Sequence, residues 1–431
     1  MRIILLIILA GLMQAAGSFA PSPGTGSGAA GTALAFGYLL LSAFFAGDLC
    51  ESIRLPRLTG YLLAGIAAGP SALNLVSSVM TGNLRIFNGI AIALIALTAG
   101  VELDLREMRP LFRSIGWQIA LAVLGTAVVL AATVYLGRGW IPFMRGMNLS
   151  QAIAAALVLG VTMVAQSPAV VVALRAEMSA DGPLTRTVLG VVVVSDLVVV
   201  LLFALFSSFA KTLFGAEADA IQTALSLTWE LGGSMLVGAM VGGIVFLYLH
   251  YIRAAGSLFV LVAGFIVAEV GQRVELDPLI VALAAGMFVR NVTPLGSKLL
   301  EAVTGAALPV YVVFFAVTGA SLRLADLLVI GPAALLFAGV RAGGFAAGSW
   351  SAAWVADAPA VVRKFAAFGL APQAGLALAL ALLLARTFPS FGNAASSLIV
   401  AMVAINQIVA PVLFRMALVK SGESAQAQRS P

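Results

Sequence analysis

Ser195 and Asp196 stand side by side near the middle of TRTVLGVVVVSDLVVVLLFALFSSF, the apolar run Thr185–Phe209. A carboxyl halfway along a run long enough to cross a bilayer costs roughly 2.5–3.5 kcal/mol on insertion scales. Such a group is either paired with a buried base or used to bind and release a proton or a cation. The second use needs a shell of oxygens around the charge. Ser195 Oγ, Ser167 Oγ, the Gln166 amide and carbonyls released by Pro168 supply them, and Gln373 and Asn406 approach from a second part of the chain. Na⁺ or K⁺ in that shell takes its formal negative charge from Asp196. Burial disfavours a bare carboxylate, so proton and cation compete for it. A site that crosses the membrane loaded with either ion, never both, is antiport in its simplest form.

The remaining ionisable residues narrow the choice. Glu102, Glu230, Glu269 and Glu301 lie nearer the ends of apolar runs, and Arg341 in GVRAGG is the only base near a run centre. Arg341 can neutralise Asp196, or it can brace the structure against Glu102 and leave Asp196 to titrate. An alternative reading gives Arg341 the leading role, as the binding charge of an organic-anion transporter. One cysteine, Cys50, and one histidine, His250, are too few for Cys/His zinc clusters and argue against Cys–His or Ser–His catalysis. An intramembrane aspartyl hydrolase needs two carboxylates at depth, and only Asp196 qualifies. The expectation is a transporter, not an enzyme, with no cofactor beyond the transported ions.

The elements that hold these residues follow from composition. The 431 residues are 61% hydrophobic and 10% charged, where a soluble domain averages about 25% charged. That is a polytopic membrane protein, and its net charge of +6 bears on topology and lipid head groups, not nucleic acid. MRIILLIILAGLMQAAGSFA at the N-terminus has the pattern of a secretory signal, and Pro21, just past the best cleavage position, opposes cutting. Residues 1–30 therefore read as a signal-like segment and flexible linker. Thirteen apolar runs fill 31–418, and 419–431 reads as a disordered tail. With the start of the first run outside, one set of loops holds 15 Lys and Arg and the other 7. The richer side is cytoplasmic, as is the C-terminus.

Two pairs of segments repeat at nearly one offset. LLAGIAAGP (Leu62–Pro70) is similar to LIVALAAGM (Leu279–Met287), 217 residues on, and LTAGVELDL (Leu97–Leu105) to AVTGASLRL (Ala316–Leu324), 219 residues on. Seven runs separate each pair, so the second copy is inverted in the membrane. Helix breaks fall at corresponding places, at Pro168 in VTMVAQSPAVV and at Gly369, Pro372 and Gly375 in FGLAPQAGLAL. Freed backbone groups at that depth are tolerated only inside protein or along a cavity.

Together these stretches resemble the monovalent cation:proton antiporter family, in its bacterial Kef-like and Nap-like sodium/hydrogen exchanger branch. The matching segments are LPRLTGYLLAGIAAGPSAL (Leu55–Leu73), LTAGVELDLREMRP (Leu97–Pro110), AQSPAVVVAL (Ala165–Leu174), RTVLGVVVVSDLVVVLL (Arg186–Leu202), LPVYVVFFAVTGASLRL (Leu308–Leu324) and LAPQAGLALALAL (Leu370–Leu382). The resemblance implies an all-α, NhaA-like fold of about 13 transmembrane helices in two inverted repeats, with two broken helices. It implies a homodimer in a bacterial inner membrane and an elevator movement. The mobile core would be about 112–209 and 326–418, and the other spans the dimerisation scaffold. The family's essential aspartate maps onto Asp196 and its Glu–Arg brace onto Glu102 and Arg341. The position before that aspartate is Asp in electrogenic members and Asn or another neutral residue in others, and here it is Ser195; electrogenic members also tend to carry a lysine in the tenth span, and none lies between Glu301 and Arg323. Both departures imply electroneutral exchange. Gln166 stands where the family often has Thr.

Overall fold

A computed structural model of the chain describes residues 2–18, 27–84, 86–214, 229–252, 255–273, 276–322 and 324–424. Residues 19–26 of the expected signal-like segment and linker, residues 215–228, the Glu230 side chain and the tail from 425 lie outside the described residues. Every regular element among the described residues is a helix. The principal helices in chain order are α1 (Arg2–Ser18), α2 (Ser27–Ser52), α3 (Arg57–Ala68), α4 (Ile86–Glu102), α5 (Leu105–Leu136), α6 (Leu149–Val164), α7 (Pro168–Met178), α8 (Pro183–Leu213), α9 (Ser234–Tyr251), α10 (Gly256–Arg273), α11 (Pro278–Val292), α12 (Gly296–Ala320), α13 (Leu324–Val355), α14 (Ala360–Leu370), α15 (Gly375–Thr387) and α16 (Gly392–Ser421), with short helical turns at Ser78–Asn83, Pro142–Met144 and Trp229–Gly233. Two expectations are corrected. The chain is helical from Ser27, so the end of the segment 1–30, expected as linker, is helix. The tail is ordered beyond 419, because α16 runs to Ser421 and both Glu423 and Ser424 are buried.

The count of thirteen crossings is not established. Among the described residues seven helices are long and apolar enough to cross a membrane, and up to nine if each of two bent pairs is one span. The difference lies in helices such as α3, with 12 residues, and α11, with 15. Twelve residues of helix rise about 18 Å, short of a hydrocarbon layer of roughly 30 Å. The apolar stretch 59–79 includes a turned segment after Ala68, where Gly69 N–H closes back on Gly65 O at 2.8 Å.

The chain forms two compact units. Unit one is Met1–Glu102 and Val237–Ala325. Its centre is two helix crossings made backbone to backbone. A Cβ on Gly65 of α3 would run into the Ala316 carbonyl of α12, and one on Gly319 of α12 would run into the Leu62 carbonyl of α3. In the same way Gly100 of α4 faces the Leu283 carbonyl of α11, and Gly286 of α11 faces the Leu97 carbonyl of α4. Small residues let helices in lipid approach this closely and add Cα–H···O contacts. The crossings exchange partners as the sequence repeat requires: α3 and α11 carry one repeated motif, α4 and α12 the other. The cap of α11 is local, with Asp277 accepting from Leu279 N–H at 2.7 Å and Pro278 at the first helical position.

Unit two is Leu103–Leu236 and Asp326–Pro431. The core expected at 112–209 and 326–418 lies inside it. α5 carries a π-helical segment over Gln118–Leu124, a distortion that recurs at functional sites. There Gln118 Nε2 donates to Ser349 O of α13 at 3.1 Å, and Gly348 of α13 leaves room only for the backbone of Leu121 and Ala122. α6 opens with a reciprocal capping box between Asn148 and Gln151. It then stops at Val164.

Candidate ion-binding site

The site grows from two interruptions in unit two. α6 and α7 are separated by unwound residues 165–167, and α14 and α15 by residues 371–374 with a 43° bend. The prolines act differently at the two places. Pro168 is the first residue of α7, where its missing N–H costs nothing, and Ser167 caps that helix by accepting from Val170 N–H at 3.4 Å. Pro372 lies within the unwound stretch itself. Gly369, expected at the break, is inside α14, where it gives room to Val188 and Phe414. Gly375 starts α15.

Broken helices leave carbonyls and N–H groups without intrahelical partners. Here protein side chains take up several carbonyls. Arg341 of α13, 1% exposed, donates from Nη1 to Ala371 O at 2.7 Å and from Nη2 to Ala165 O at 3.0 Å and Leu370 O at 3.4 Å. Its guanidinium also lies over the Phe345 ring, 4.6 Å from the centroid. One cation thus serves the C-terminal ends of two half-helices, where the helix dipole favours positive charge. The organic-anion reading is not supported, because both terminal nitrogens of Arg341 are already engaged. Glu102, the expected brace partner of Arg341, ends α4 in unit one. Gln373 Nε2 donates to Met163 O at 2.9 Å, and Gln373 Oε1 accepts from Asn406 Nδ2 at 2.9 Å. The carbonyls expected to face an ion beside Pro168 therefore already have protein donors at positions 163 and 165.

The second group of residues lies on α8. Ser195 is 1% exposed and Asp196 5%. Ser195 Oγ is 2.9 Å from Gln166 Oε1 and 3.0 Å from Val192 O, and its single proton serves one or the other. The contact brings α8 to the first break, with Gln166 and Ser167 both buried. Gln166 Nε2 is buried without a hydrogen-bond partner. Asp196 follows Ser195 by one residue, about 100° around the helix. Of the residues singled out in the sequence, Gln166 and Ser195 meet directly, as do Gln373 and Asn406. Sequence reading missed that Gln373 and Arg341 each join the two breaks. It also missed Glu423, whose carboxylate takes the start of α8. The signal was available: α8 begins Gly182-Pro183 with no side chain able to cap it.

Comparison with known proteins follows the same line. Residues 39–420 match the family model described as "Sodium/hydrogen exchanger, transmembrane", a family of transporters. Among curated proteins the chain is 27% identical over 188 residues to the iron transporter MagA of Paramagnetospirillum magneticum, covering 43% of this chain and 40% of that one. It is 23% identical over 339 residues to the high-affinity Na⁺/H⁺ antiporter NhaS3 of Synechocystis, covering 70% of each. The match thus spans well under two thirds of the first relative's length. Among solved structures, the sodium proton antiporter MjNhaP1 of Methanocaldococcus jannaschii superposes with a TM-score of 0.67 at 15% identity, covering 92% of this chain and 98% of that one. At that identity the likeness is one of fold.

Proposed function

The chain belongs to the transmembrane sodium/hydrogen exchanger family, and from that premise we propose that it exchanges a monovalent cation, Na⁺ or K⁺, for H⁺, with Asp196 as the shared acceptor. The observation that carries this reading is a buried carboxyl on α8 whose neighbour, Ser195, is hydrogen-bonded to Gln166 at an unwound helix break. A proton on Asp196 removes the charge that a cation needs, so the two ligands exclude one another.

Ser195 and Gln166 arrange the oxygens. When the Ser195 proton points to Val192 O, Ser195 Oγ accepts from a turned Gln166 amide, and Gln166 Oε1 becomes available to the cation. The turn also gives Gln166 Nε2 the partner it lacks, which offsets a cost of about 1–3 kcal/mol for a buried unsatisfied donor. Ser167 Oγ completes the side-chain oxygens. Asp196 is the one carboxylate in this set, so a single charge is bound per crossing and exchange is electroneutral. Unit two carries the site across by an elevator movement, unit one holds the homodimer, and the protein lies in a bacterial inner membrane with its C-terminus in the cytoplasm.

The test uses purified protein in liposomes with a trapped pH-sensitive dye. Addition of Na⁺ or K⁺ should drive proton movement in the wild type and not in Asp196→Asn, at a rate indifferent to an imposed potential. Proton movement that survives in the variant removes Asp196 from the mechanism.

A further inference from the structure

Glu423 lies beyond the last helix, yet it is 7% exposed. Its Oε1 accepts from Leu184 N–H at 2.7 Å, and its Oε2 accepts from Thr185 N–H at 2.8 Å and from Thr185 Oγ1 at 2.7 Å. Those are the first free amides of α8, the helix of Ser195 and Asp196. Two further features fit the same contact. Gly182 precedes Pro183 and offers no cap of its own, and a Cβ at Gly182 (φ +159°) would strike the Glu423 carboxyl group. The Glu423 carbonyl also accepts from Asp181 N–H at 3.1 Å. A carboxylate is the preferred ligand of a helix N-terminus, and here it comes from a residue 238 positions away in sequence from Thr185.

The contact joins two helices that serve different halves of the site. α8 sends Ser195 to Gln166 at the first break, and α16, which leads into Glu423, sends Asn406 to Gln373 at the second. We infer that Glu423 is a positioning residue for ion exchange: it locks the end of α16 to the start of α8 and so sets the axial register between the two halves of the site. The inference rests on the exchange reading above. Thr185 is eleven residues from Asp196, about 16 Å along the helix, so Glu423 acts through the helix and never touches the ion.

The experiment compares Glu423→Gln, Glu423→Asp and a chain ending at Gly422 with wild type in the liposome assay. Loss of the cap is expected to raise the cation KM about fivefold in Glu423→Gln, with the maximal rate within about twofold. The truncated chain should match or exceed that shift, and Glu423→Asp, which keeps the charge, should fall between. Amide hydrogen exchange at Leu184 and Thr185 should quicken in the same order. A lower melting temperature with unchanged KM in all three would overturn the positioning role and leave a structural cap. Unchanged exchange at Leu184 and Thr185 would overturn the contact itself. Absence of cation-driven proton movement in the wild type would count against the exchange reading alone, since the amide readout does not depend on it.

Discussion

Gln373 Nε2 donates to the Met163 carbonyl at 2.9 Å, so a side chain from the second helix break closes the last turn of helix before the first. The other end of the same amide receives Asn406. Gln373 is fully buried, and both halves of its amide are used. Replacing it by Leu strands a buried acceptor on Met163 and a half-buried donor on Asn406. The expected loss is about 2–4 kcal/mol, read as a fall in melting temperature of the purified protein. Exchange should fall as well, because both breaks lose their shape.

Arg341 should tolerate no replacement. Methionine leaves the carbonyls of Ala165, Leu370 and Ala371 without their donor. Lysine keeps the charge but is a single point donor, unable to span acceptors on two separate breaks. Both variants should be destabilised by about 3–5 kcal/mol. Size-exclusion profiles of the detergent-solubilised protein check this, and a wild-type profile with Arg341→Lys would contradict it.

The glycines of unit one divide into two classes. Gly65→Ala and Gly100→Ala each place a methyl against main-chain carbonyl, which cannot rotate away, and should abolish folded protein. Gly243→Ala meets nothing within 4 Å. In the middle of α9 it should stabilise by about 0.5–1 kcal/mol through helix propensity alone. Yield of monodisperse protein checks the first two variants, and a raised melting temperature checks Gly243→Ala.

The loop between α7 and α8 should show a simple pH dependence. The Asp181 carboxyl is held below its ordinary value of 3.8, chiefly by the hydrogen bond from Arg186, at 2.7 Å, and further by the charge of Arg175. A lowered folded pKa means that the stabilisation is present above the ordinary carboxylate range and is lost as pH falls through the lowered value. The pair is half exposed, which holds its worth to about 0.5 kcal/mol. Asp181→Asn should therefore melt slightly below wild type at pH 7, with the gap closing in acid below pH 4 or so and narrowing at high salt.

Much of the site was legible because its cost is visible in one dimension. A carboxyl at Asp196 amid valines and leucines and prolines at 168 and 372 inside apolar runs are local anomalies. The partners of those residues were not legible, since Gln166 finds Ser195 across 29 residues and Gln373 finds Met163 across 210. Arg341 drew attention as a lone buried base, and the natural guess was a carboxylate. The breaks supply it with carbonyls, a source of negative potential that leaves no mark in the residue letters. The tail misled for the opposite reason. Its polar composition resembles a solvated end, and only the uncapped start of α8 tells that Glu423 has somewhere to go. Apolar runs and helices part company where turns such as the one after Ala68 continue a run without continuing a helix.

Arg341 has one consequence for motion. Its guanidinium holds the ends of α6 and α14 at once, and no single rotation of the side chain releases one without loosening the other. A push delivered to either break, by an arriving ion or by strain in a connecting loop, is therefore shared at once with its counterpart. The two breaks behave as one passenger compartment pinned by Arg341 and Gln373 together, and what reaches one wall of it is felt at the other.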